Sequence, residues 1–180
     1  MGPAVLRRPG EGTGKRRGAG HTGPMRIYIP ATAADLSAPE ISARPAHAAT
    51  EQLARELPEE DGEGLEMSAS LCAADASLVL LAEPSADGVA DRRIVIAADV
   101  DAEAVRELAV GPDALPGTVE LLGPVSWDDV AALLVDEERA EADVRAARTG
   151  DEEAFERAAD ADLLWFDVSE RAPLAERLGA

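Results

Sequence analysis

Residues 65–83 read LEMSASLCAADASLVLLAE, and how this stretch is covered decides the fold. Wound as a helix, it carries one apolar stripe of Leu65, Ala69, Cys72 and Ala76. Met67, Leu71, Ala74, Leu78 and Leu81 form a second stripe, nearly opposite. A helix apolar on two sides must be covered on both. The segment is therefore expected between a sheet and another helix. Asp75 is its only charged side chain from Met67 to Ala82. A carboxylate so placed either pairs with an arginine or faces a polar pocket, because buried alone it would take up a proton.

Outward from this helix the chain alternates between strand and helix patterns. RIYIPA, residues 26–31, sets Ile27 and Ile29 on one face and Arg26 and Tyr28 on the other, as a half-buried strand does. RRIVIAADV (92–100), TVELLGPV (118–125) and LLWFDVS (163–169) read as three more strands. Helical patterns are expected over 46–57, over 102–109, from a Ser126 cap to about Arg148, and over 151–159, with a last turn opened by Pro173. This order predicts an α+β fold, a two-layer α/β sandwich of split β-α-β type with a four-stranded sheet. The alternative is a three-layer α/β fold with a mostly parallel sheet, favoured by IVIAA being apolar on both faces.

Charge narrows the partners. The chain of 180 residues has a formal net charge of −19. Residues 1–24 are basic and rich in glycine and proline, and are expected to form a disordered leader that is not native, with translation starting at Met25. Residues 25–180 then form a single α/β domain whose 12 arginines face 35 carboxylates. Such a surface repels phosphate backbones and anionic lipid, so neither nucleic acid nor membrane is expected as a partner. One cysteine, Cys72, suits a reducing compartment, and no apolar run approaches a membrane span, so the cytoplasm is expected.

Few residues suggest chemistry. Asp99 and Asp101 end the IVIAADVD strand, where two carboxylates could hold a divalent cation or simply turn and cap the chain. The stretch resembles the Asp-x-Asp box of haloacid dehalogenase-like phosphatases in those two carboxylates alone. Ala102-Glu103 stands where Gly-Thr belongs, and no lysine follows. His47, the only histidine after the leader, is expected on a helix surface beside Glu51. No catalytic set, cofactor or metal-ligand set is assigned. Ligand contacts are expected from Thr32, Asp75, Asp99 and Trp165. Tyr28 and Trp165 project to the same outer side of their strands, which a two-layer fold leaves bare. There they could anchor a homodimer or a flat ligand, unless Leu174 and Leu178 fold back over them.

MRIYIPAT (25–32), IVIAADV (94–100) and LLWFDVSE (163–170), in that order, resemble a family of small acidic hypothetical proteins from actinobacteria. The resemblance covers residues 25–178 and implies a start at Met25. It carries no assigned activity, and so no catalytic residues. The expected role is a non-catalytic interaction or regulatory module, a homodimer or one meeting a protein partner or small ligand. The alternative is a small-ligand or divalent-metal-dependent enzyme with its site at the strand C-terminal ends.

Overall fold

The computed structural model describes residues 23–112 and 114–180, so all of the basic leader but Gly23 and Pro24 lies outside it. In chain order the elements are β1 (Pro24–Ala31), β2 (Pro45–Ala48), α1 (Glu51–Glu56), α2 (Gly62–Ala82), β3 (Ile94–Asp101), β4 (Val105–Glu107) and β5 (Thr118–Leu121). They continue as β6 (Val130–Asp136), α3 (Glu141–Ala147), α4 (Glu152–Ala159), β7 (Leu163–Phe166) and α5 (Arg171–Arg177). The strands form one seven-stranded sheet, ordered β4-β5-β2-β1-β3-β6-β7, and every neighbouring pair is antiparallel.

This overturns both expected architectures, since the sheet has seven strands rather than four and no parallel pair. The three unforeseen strands are β2, β4 and β6. PAHA in β2 is short and alanine-rich, and alanine favours helix when neighbours do not intervene. VRE in β4 is too short to show any period. VAALLVD in β6 is a nearly continuous apolar run, which periodicity cannot tell from a buried helix. The Ser126 hydroxyl does cap a turn, accepting from the Asp128 N–H, but that turn is a single 3-10 turn over Trp127–Asp129 that releases the chain into β6.

The sheet is rolled. Only Ala102–Ala104 separates β3 from β4. Four peptide steps reach at most about 14 Å, whereas β4 lies four strand spacings from β3, roughly 19 Å in a flat sheet. The β4 edge must therefore curl back toward the β1–β3 end. The concave side buries Ile27, Ile29, Ile96, Leu133, Val119 and Leu121, closed over by Leu36, Ile41, Val125 and Leu174. Each large aliphatic side chain so buried contributes about 1.5–3 kcal/mol.

The convex side receives α2. Ala69, Ala73 and Ala74 lie on Tyr28, Val95, Ala97 and Ala132, small residues allowing a close approach. Farther along, Leu78 and Leu81 meet Ala140 and Val144 at α3 and Ala158 of α4. The Ser77 hydroxyl donates to the Ala31 carbonyl (2.7 Å) and accepts from the Ile94 N–H (3.0 Å), stitching α2 to β1 and β3. The central strands are thus covered on both faces, against the expectation of one wet face.

Nor is α2 enclosed as expected. Met67 and Val79 are 61% and 60% exposed, and Leu71 is 43% exposed. The helix of 21 residues is long and apolar enough to span a membrane by composition, contrary to the sequence reading, and only 39% of that window is buried. Here it lies across the sheet with its outer side bare among the described residues.

Candidate functional site

Residues expected at a strand-end ligand site do not converge. The Thr32 N–H donates to Asp35 Oδ2 (2.8 Å), and Arg44 grips the same carboxylate at 2.7 and 3.1 Å, so Thr32 belongs to the turn that follows β1. Asp99 faces Arg26 across β1 and β3 and takes two bonds from its guanidinium, at 2.6 and 2.8 Å. Those bonds hold the Asp99 carboxyl below its ordinary range. With Asp101 and Asp129 it lines a cavity of about 220 Å³. No group of three or more His, Cys, Asp or Glu among the described residues is disposed to hold a metal ion.

A larger cavity, about 480 Å³, opens where β2 stops short between the start of β1 and β4. Met25, Ala49, Val105 and Val119 give it an apolar lining, and Arg26, Glu51, Glu66 and Glu107 a charged one. Near it, His47 corrects the sequence reading. It sits in β2 rather than on a helix surface, 7% exposed, between Tyr28 of β1 and Thr118 of β5. Burial pulls its pKa down. His47 Nδ1 and Thr118 Oγ1 are buried with no hydrogen-bond partner among the described residues.

Tyr28 is also buried, 7% exposed, beneath α2. Its hydroxyl donates to Glu66 on α2 at 3.1 Å. Burial first, and the Glu66 carboxylate second, push its pKa up to about 12. Trp165 is 62% exposed. Register through Val95 and Leu134 places it on the same sheet face as Tyr28, but on β7, three strands away. The two aromatics share a face and form no common patch, because α2 covers one and stops short of the other.

Asp75 lies on the flank of α2, its carboxylate 3.7 Å from Arg93 Nη1. Burial pushes the Asp75 carboxyl up while the Arg93 charge opposes the shift. Arg93 itself is engaged by Asp136, so Asp75 is the outer member of a three-residue cluster.

The surface that stands out is one the strand-end reasoning missed. Met67, Leu71 and Val79 project from α2, with Ser68, Cys72 and Ala76 partly exposed beside them. A signal was present in the sequence. The other helices are short, and α3 and α4 offer only Val144 and alanines to cover the C-terminal half of α2.

No curated protein and no solved structure is found similar to the chain. Residues 25–175 match the family of unknown function DUF6912, and the chain belongs to that family.

Proposed function

We propose that the protein is a non-catalytic, cytoplasmic interaction module that self-associates through the outer face of α2. One observation carries this reading: a helix apolar all round is covered by the sheet on one side and left bare at Met67, Leu71 and Val79. Exposed apolar surface of this kind marks an interaction site more often than a free surface. The single cysteine fits a reducing compartment. A strand-end enzyme has less support, because Asp99 is already held by Arg26.

The occupant follows from charge. A protein of net charge −19 resists meeting itself almost anywhere. From Met67 to Ala82 the helix has one charged group, Asp75, and Arg93 stands against it. This face offers a basic partner little to pair with, and presents to a second copy only the Asp75 carboxylate, which already has Arg93 beside it. Sedimentation velocity across the micromolar range tests it. The wild type is expected to sediment as a dimer, and Met67→Glu with Val79→Glu as a folded monomer. A strictly monomeric wild type would remove the proposal.

A further inference from the structure

Resting on that reading, we infer that two copies pair with their α2 helices antiparallel, about a twofold axis beside residues 72–74. An antiparallel isologous contact must be self-complementary. The ends of the exposed row on α2 have that property: Met67 and Val79 lie six residues either side of residue 73, with nearly equal exposure, while between them Leu71 comes opposite Asp75, whose carboxylate has Arg93 beside it. Met67 of one copy then meets Val79 of the other, apolar against apolar, at both ends of the contact.

Charge selects the direction. Glu59, Glu60, Asp61, Glu63 and Glu66 crowd the start of α2, whereas its last two turns carry no charge until Glu83. Parallel helices would set five carboxylates beside five. Antiparallel helices separate the two clusters by about the helix length of 31 Å, several times the physiological screening length. The opposed helix dipoles favour the same arrangement.

Ser68, Cys72 and Ala76 run four apart beside the apolar row, all small and partly exposed. Small side chains there permit the helix axes to approach toward the close end of the usual 8–10 Å range. Cys72, one residue from the axis, comes within disulfide reach of its copy.

The terminal strand β7 is a poorer self-contact. Antiparallel pairing that overlaps its four apolar residues sets Asp162 opposite Asp167 of the other copy, like charge against like.

Mild oxidation of the full chain with diamide, followed by non-reducing electrophoresis and sedimentation, tests the geometry. Two thiols lose two protons and two electrons to the diamide and form one disulfide. The wild type is expected to crosslink through Cys72 more than about tenfold faster than Met67→Glu/Val79→Glu, as the effective concentration of paired thiols exceeds that in free solution. In a Cys72→Ser background, Met67→Cys mixed with Val79→Cys should crosslink to each other, and Met67→Cys alone should not. A dimer in which Met67→Cys joins to itself, or Cys72 fails to react, would overturn the antiparallel geometry while leaving the docking face standing. A monomer would overturn both.

Discussion

Arg93, the residue before β3, and Asp136, the last of β6, form an ion pair sealed from water, 1% and 0% exposed, with Nη2 and Oδ1 2.8 Å apart. They stand in the next register position beyond Ile94 and Val135. Asp136 Oδ2 also accepts from the Arg93 backbone N–H at 2.8 Å, and Arg93 Nη2 donates to the Ala161 carbonyl at 3.3 Å. The pair therefore ties β3 to β6 and to the chain entering β7. Removing one partner strands a buried charge. Asp136→Ala is expected to lose about 3–5 kcal/mol in urea unfolding, while Arg93→Met with Asp136→Leu recovers most of it. Equal losses in both variants would show that the charges themselves hold the strands.

Tyr28 is the chain's only tyrosine, so phenolate absorbance reports it alone. It is expected to ionise near 12 rather than 10. Glu66→Gln should lower that value only in part, because burial is the larger cause. The folded pKa is raised, so this contribution to stability is complete below pH 10 and lost as pH climbs toward 12. A titration at 10 would mean that α2 does not cover the ring.

Gly117 has φ +86°, and a Cβ there would lie 2.9 Å from the Ala48 carbonyl oxygen and 3.2 Å from Leu53 Cδ2. The same residue's carbonyl accepts from the Ala48 N–H, holding β2 at the start of β5. Gly117→Ala is expected to cost at least about 2 kcal/mol, from the left-handed backbone and the crowding together. Thermal melts check this, and an unchanged melting temperature would contradict the β2–β5 junction.

His47 is buried and its pKa lies below 6.5. The unfolded chain therefore takes up this proton first as pH falls. Stability from His47 is complete above 6.5 and declines as pH drops through its folded pKa. His47→Phe removes that loss and the unpartnered Nδ1 together. Its unfolding free energy should fall less than that of the wild type on going from about pH 7 to pH 5, a comparison centred on the ordinary histidine range.

How far the fold could be read depended on element length. Ile27 and Ile29 against Arg26 and Tyr28 announce β1, and the helical pattern at 65–83 falls within α2 but for Glu83. β2 and β4 have four and three residues, too few to display a period, and β6 shows apolar residues on both faces. His47 went astray with β2, because a helix at 46–57 would have placed it beside Glu51 on the surface. Which side of α2 goes inward was equally hidden. The buried arc includes Ser70 and Ser77, and in a helix apolar on every side no stripe marks the inner face.

The amino-acid order alone determined what nearest neighbours control: the alternation of the longer strands, the length of α2, the Thr32–Asp35 capping box and the Asp151 cap, and the negative surface. Tertiary structure alone decided the strand partners, the rolling of the sheet, the burial of Tyr28 and the bare side of α2. Those depend on contacts between segments far apart in the chain, where a residue's environment is set by what the fold brings to it.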